Sequence, residues 1–271
     1  MARSPEKAPN QQATDSRLRT VILSVCGKGG VGKTSVSALL ARVLAEDSGK
    51  RVLAIDADPA VGLATALGLP VARTVDDIRN SLIGELTKKE GGRDKAAVLS
   101  ELDFQLAEAL AERDNLAFLA VGRPETDGCY CRLNAFLKEV IAQTASRFDF
   151  VVIDGEAGIE QVNRRVMERI THLLLVTDAS VKGRRVAETI EDVARKMTGF
   201  SRAGLFVNRV RDPGDVPAVT RDTRLQVVGS MDDDPELHRF DREGKSLLDL
   251  PDGPSLGAIR RLAEGFLKGE E

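Results

Sequence analysis

The chain has no tryptophan, one tyrosine and nine phenylalanines in 271 residues. Aromatic rings are the platforms on which unpaired bases stack, so their scarcity argues against a single-strand nucleic-acid binder. An excess of one charge is also lacking. Lys and Arg number 39 against 42 Asp and Glu, a formal net charge of −3. Coating a nucleic acid draws its affinity from counterions released at a basic face, and this balance supplies none. No apolar run approaches the roughly 20 residues of a membrane-spanning helix. Three cysteines without a secretory signal point to a reducing cytoplasm and to metal or thiol chemistry, not to a disulfide framework. The start, Met1 to Ser16, is mostly polar and has no apolar core, and residues 1–17 read as a disordered tail. The expectation is therefore a cytoplasmic protein with no nucleic-acid and no membrane partner, folded as one domain over residues 18–271.

What the chain does have is a glycine loop between a strand and a helix. Val21 to Val25 is apolar apart from Ser24 and reads as a buried strand, and Ser35 to Glu46, rich in Ala and Leu, reads as a helix. Between them Gly27, Lys28, Gly29, Gly30, Val31, Gly32, Lys33 and Thr34 fit G-x-x-x-x-G-K-[ST] without a gap. Glycines let backbone N–H groups converge on phosphate oxygens, and the helix N-terminus adds partial positive charge. Gly27 to Ser35 is thus the candidate phosphate cradle. Lys33 is placed to reach the β- and γ-phosphates, and Thr34 to ligate Mg²⁺.

Downstream, strands alternate with helices. Arg51 to Ile55 is a strand ending in Asp56-Ala57-Asp58-Pro59. Thr74 to Ile83 and Ala96 to Glu112 have helical spacing around a charged loop, Thr87 to Lys95, and Asn115 to Val121 is a strand. Phe148 to Ile153, apolar apart from Asp149, reads as a buried strand whose end, Asp154, is placed to act on Mg²⁺ through water. Gly158 lets an N–H approach a γ-phosphate. His172 to Thr177, Ala203 to Val207 and Leu225 to Gly229 complete the strands, with a helix over Val181 to Met197 and another over Ser255 to Lys268. The pattern predicts a twisted, mainly parallel α/β sheet with helices on both faces. Asn208-Arg209-Val210-Arg211 follows a strand. A guanine site of the N-K-x-D kind needs an acidic acceptor where Arg211 stands, whereas Asn208 both donates and accepts as adenine requires.

Cys129 and Cys131 flank the single tyrosine, Tyr130. In an extended chain both side chains point the same way, roughly 6.6 Å apart at Cα. Two thiolates on one soft ion suit that spacing better than a disulfide. A tetrahedral ion wants four ligands, and neither His172 nor His238 has ligand spacing. A two-fold axis that brings the same pair from a second copy would complete a Cys₄ site for a soft ion such as Zn²⁺, the alternative being a loop whose two cysteines are merely half-buried.

The loop KGGVGKT carries an extra lysine, Lys28, and so resembles the deviant P-loop of the family containing the nitrogenase iron protein, MinD, ParA and the arsenite-pump ATPase. That resemblance implies ATP hydrolysis in a homodimer, with Lys28 reaching across the interface to the partner's ATP. Asp56-Ala57-Asp58-Pro59 is similar to the family's D-x-D-P, which implies that Asp58 orients the attacking water while Asp56 supports the Mg²⁺ shell. Asn208 resembles the adenine-contacting asparagine. Within this family, Gly128-Cys129-Tyr130-Cys131 and Asp154-Gly-Glu156-Ala-Gly158-Ile-Glu160 look like the CooC group, nickel-insertion ATPases serving carbon monoxide dehydrogenase and acetyl-CoA synthase. The implied client is such a nickel enzyme, and the implied cargo sits on Cys129 and Cys131. Rival expectations are an iron-protein-like reductase, a MinD-like positioning ATPase using the last helix on a membrane, and a ParA-like DNA binder.

Overall fold

Five strands built almost wholly from Val, Leu, Ile, Phe and Ala lie at the middle of the sheet, as expected where both faces are covered. The computed structural model describes residues 20–46, 50–88, 95–123, 131–155, 159, 166 and 169–267. Its strands are β1 (Val21–Gly27), β2 (Val52–Asp56), β3 (Ala111–Arg113), β4 (Leu116–Ala120), β5 (Phe150–Asp154), β6 (His172–Thr177), β7 (Arg202–Val210) and β8 (Val227–Asp232). They form one sheet in the order β3-β4-β2-β5-β1-β6-β7-β8. All pairings are parallel except β3 with β4. The expected fold class is the observed one.

Side-chain alternation along the strands divides the core in two. On one face Leu53 and Ile55 of β2 meet α3 (Val75–Lys88), α4 (Lys95–Ala109), α5 (Cys131–Ala145) and α6 (Val181–Met197). On the other, Val52 and Ala54 of the same strand belong with α1 (Lys33–Glu46), α2 (Gly62–Leu67) and α9 (Pro254–Leu262). Two short helices, α7 (Asp215–Asp222) and α8 (Pro235–Glu243), flank β8.

Several boundaries differ from the sequence reading. The helix expected to reach Glu112 stops at Ala109, and Ala111–Arg113 turns back as an antiparallel edge strand. Asp114 makes that turn with φ 54, a left-handed conformation that Asp tolerates better than most residues. Residues 87, 88 and 95, expected in a charged loop, are helical. Helices α2, α7 and α8 were not expected, since none is long enough to repeat an apolar face over an 11-residue window. β7 and β8 run about three residues further than their apolar cores, because ladder hydrogen bonds do not require apolar side chains.

The expected last helix starts one residue earlier, at Pro254, and continues through Ala263–Leu267 as a π-helical turn. Its Leu256, Ile259, Leu262 and Phe266 are buried against α1 and the sheet. Among the described residues no helix is long and apolar enough to cross a membrane.

Strand order places the ligand crevice. The chain runs from β5 on one side of β1 to β6 on the other, so the carboxyl ends of these three strands flank the point where connections diverge. In open α/β sheets, ligands lie at such a point. The glycine loop leaves β1 there.

Candidate active site

Three glycines shape the loop. Gly27 is pressed against β6, so that a Cβ would stand 2.1 Å from the Val176 carbonyl oxygen. Gly30 and Gly32 have φ 81 and φ 88, and these positions favour a residue without Cβ. The helix expected to start at Ser35 begins at Lys33, and Val36 N donates to Gly32 O at 3.0 Å. Lys33 Nζ folds back to donate to the Lys28 carbonyl at 3.3 Å. Gly29 has no neighbouring atoms within 4 Å of a built Cβ and faces open space.

Beneath the loop the strand-end carboxylates converge. In the β2–β5 ladder Asp56 stands opposite Asp154. Thr34 Oγ1 donates to Asp154 Oδ2 at 2.7 Å, and Ser37 Oγ donates to Asp154 Oδ1 at 3.0 Å. Asp154 is 1% exposed, and burial pushes it up to about 6 even though both hydroxyls and Lys33 oppose the shift. Asp56 is fully buried and is pushed up to about 7, first by burial and then by Asp154 beside it. Its oxygens accept from Asp58 N at 3.0 Å and Leu63 N at 2.8 Å. Two buried carboxylates, each holding its proton more tightly than usual, with a threonine hydroxyl between loop and strand, form a hard-oxygen donor set. Mg²⁺ is bound by this chemistry, and a divalent cation there would reverse both shifts. The residues fit the ion.

Asp58 lies two residues past β2 in a half-buried turn. Its Oδ1 accepts from Ala60 N at 2.8 Å, and its carbonyl accepts from Val61 N at 3.0 Å. Val61, at φ 52 and ψ 43, is left-handed, an outlier for a β-branched side chain. Lys28 lies on the other side of the loop with its Nζ 3.7 Å from Asp178 Oδ2. Burial would raise Asp178, but the Ser180 hydroxyl and backbone N–H, with Lys28, hold it below the usual carboxylate range.

Asn208 is 2% exposed at the far end of β7. Its Nδ2 donates to Val31 O at 2.8 Å, and its Oδ1 accepts from Arg209 N at 2.9 Å. The structure thus brings Lys28, Lys33, Thr34, Asp56, Asp58, Asp154 and Asn208 around one loop. It adds Ser37, one helical turn after Thr34 on the same face of α1, together with Asp178 and Arg209. Only Ser37 had a sequence signal, its i+3 spacing from Thr34.

Gly158, Glu156 and Glu160 lie outside the described residues, as do Cys129 and the side chain of Cys131, which is the first residue of α5. Cys131 is thus helical rather than extended, and the spacing expected of the cysteine pair lies outside the described residues. His172 is buried and edge-on to Phe266, 5.3 Å between ring centroids, with its Nδ1 2.8 Å from Thr171 Oγ1. Burial, then Arg202, lowers it to about 4. His238 lies 2.6 Å from Asp233. Among the described residues no three His, Cys, Asp or Glu form a metal-holding group.

A family model described as the CobQ/CobB/MinD/ParA nucleotide binding domain matches residues 22–247. An ATP-binding protein of Methanocaldococcus jannaschii is 34% identical over 239 residues, covering 86% of this chain and 92% of that one. The carbon monoxide dehydrogenase accessory protein CooC of Rhodospirillum rubrum is 30% identical over 237 residues, covering 84% of this chain and 89% of its own. Among solved structures, the cell division ATPase MinD of Pyrococcus furiosus aligns with a TM-score of 0.68 at 24% identity, covering 92% of this chain and 98% of that one. That last likeness is one of fold. With most of its length matched, the chain belongs to the CobQ/CobB/MinD/ParA family of nucleotide-binding domains and is a P-loop ATPase of that family.

Proposed function

We propose that this ATPase binds MgATP, closes as a homodimer, and uses the closure to hand nickel to a metalloenzyme of the carbon monoxide dehydrogenase type. The observation that carries the nickel half is the Cys129-Tyr130-Cys131 pair in a chain 30% identical to CooC. The hydrolytic half draws on the site's geometry. Thr34, Asp56 and Asp154 would hold Mg²⁺, with Ser37 fixing the Asp154 carboxylate. When bound, Mg²⁺ neutralises charge on the β- and γ-phosphate oxygens.

The remaining work belongs to side chains. Lys33 leaves the Lys28 carbonyl to meet the β- and γ-phosphates, and Asp58 accepts a hydrogen bond from the attacking water and orients it. Lys28 gives up Asp178 for the partner's ATP. A half-exposed ion pair such as theirs contributes only about 0–1 kcal/mol, so a phosphate displaces it readily. Gly158 would carry the γ-phosphate's presence into the following loop. Asn208 retains one N–H and one lone pair to offer adenine.

Nickel is cargo in this reading. Cys129 and Cys131 from two chains would surround one ion, tetrahedral for Zn²⁺ and tending toward square-planar for Ni²⁺. A MinD-like use of the last helix on a membrane is not supported, since the apolar side chains it would insert are in the core.

Anaerobic metal analysis paired with measurement of oligomer size tests the proposal. One Ni²⁺ or Zn²⁺ per dimer is expected, lost in Cys129→Ser or Cys131→Ser with nucleotide binding intact. Stoichiometric metal retained by the double variant would remove the interface site and the nickel reading with it. An iron–sulfur chromophore in the anaerobic protein would favour a reductase instead.

A further inference from the structure

A phosphate-binding loop can turn its N–H groups inward only by turning carbonyls outward, and outward carbonyls need donors. Three of them accept from side chains here. Lys33 Nζ serves Lys28 O, Asn208 Nδ2 serves Val31 O, and Arg209 Nη1 serves Gly30 O at 2.8 Å. The last two come from outside the loop, from the end of β7, with β6 lying between that strand and β1.

The end of β7 is bent toward this contact. The β7–β8 register shifts between Val207 and Val210, and Arg209 within that irregularity has φ 56. Bulges of this kind re-aim a side chain, and a left-handed arginine is uncommon enough to ask what holds it. The Arg209 N–H is bonded to Asn208 Oδ1, which locks the bend. Asn208 in turn lies so close over Gly32 that a Cβ there would stand 2.4 Å from its Nδ2. The fit is two-sided, with the loop shaped for the amide and the amide tied to the loop.

We infer that Asn208 and Arg209 form a clasp that pre-organises the phosphate loop. They are positioning residues whose effect falls on polyphosphate affinity whatever base is attached. The guanidinium adds to the hydrogen bond, because positive charge at the Gly30 carbonyl polarises that peptide and strengthens its N–H as a phosphate donor. This assigns to Asn208 a role that adenine recognition does not require, and to Arg209 a role where the sequence showed none. The inference rests on the loop being the phosphate site, and not on nickel.

A ligand without a base separates the two roles. Mg-tripolyphosphate and MgATP would be titrated calorimetrically into the full chain and into Arg209→Gln, Arg209→Lys and Asn208→Ala, with KM and kcat measured alongside. Arg209→Gln should weaken both ligands about tenfold, the scale of a charge-assisted hydrogen bond. It should raise KM, leave kcat within about twofold, and be partly rescued by Arg209→Lys. Asn208→Ala should weaken both ligands together. Arg209 is exposed, so its variants carry the test even if Asn208→Ala melts early. Wild-type affinity of the Arg209→Gln variant for tripolyphosphate would overturn the clasp, as would a fall in kcat at unchanged KM. Loss of ATP binding alone in Asn208→Ala would make that residue a base contact. A wild-type chain that ignores tripolyphosphate would remove the phosphate-site premise itself.

Discussion

Asp154 ends one strand and Asp58 follows its neighbour in the same sheet, yet their surroundings are opposite. Asp154 is buried, with a hydroxyl on each oxygen and its backbone inside two ladders. Asp58 sits in a half-buried turn, its carboxylate accepting from Ala60 N of the same loop, three residues before a valine in a left-handed conformation. One carboxylate is braced from every side and suits a fixed metal. The other is mounted on a loop that already stores strain, of a kind that costs about 1–3 kcal/mol and gathers at switch regions. A site that must hold a cation steadily and respond to a γ-phosphate needs both.

The contrast is broken most severely from the loop side. Lys33→Ala should lower ATP affinity by about 100-fold or more, since it removes the cation reaching both terminal phosphates. Asp58→Ala should leave affinity within about threefold and lower kcat by about 100-fold or more, the usual reach of a water-orienting carboxylate. Equilibrium nucleotide binding beside single-turnover hydrolysis reads both. Normal turnover in Asp58→Ala would mean that another group orients the water.

A smaller effect follows from protonation. Asp56 at about 7 and Asp154 at about 6 both lie above the ordinary 3.8. Without metal, the folded chain therefore binds more protons than the unfolded chain between these values, so their contribution to stability falls as pH rises through 6 to 7. Mg²⁺ competes with those protons. Its affinity should drop steeply between pH 8 and pH 5.5, and the thermal shift it produces should be largest at the alkaline end. A Mg²⁺ shift independent of pH over this range would place the ion away from both carboxylates.

The smallest effect sharpens the strained side. Val61→Gly relieves a left-handed penalty of about 1–2 kcal/mol against a glycine entropy cost of about 0.5–1 kcal/mol. Stability should stay within about 1 kcal/mol of the parent. The same truncation at Val25 in β1, which is fully buried, should cost about 3 kcal/mol or more. Chemical denaturation of the two variants decides it, and a large loss at position 61 would mean that the turn is not left-handed in solution.

The central strands and the glycine loop were legible because their signals are local. Val52 to Asp56 and Phe150 to Asp154 are continuous apolar runs ending in an acid, and each run corresponds to one strand within two residues. β3 was not legible. Ala111–Arg113 continues the composition of α4, and only its pairing with Leu116 to Phe118 makes it a strand. Of the site, Lys33, Thr34 and Asp154 could be named from spacing alone, whereas Asp178 and Arg209 carry no local mark.

By itself, the sequence determined the glycine loop, the acids at the strand ends, the parallel α/β class and the presence of two cysteines around a tyrosine. Each is a matter of residue type at short spacing, and the backbone's few allowed conformations turn such spacing into structure. Tertiary structure decided that Asp56 and Asp154 stand side by side, so that Asp154 adds to the burial that raises the affinity of Asp56 for its proton. It also decided that Lys28 rests on Asp178, and that a bend 177 residues beyond Val31 grips the phosphate loop. Those facts depend on strand order, and strand order is set by the packing of two whole faces of the sheet rather than by any one stretch of chain.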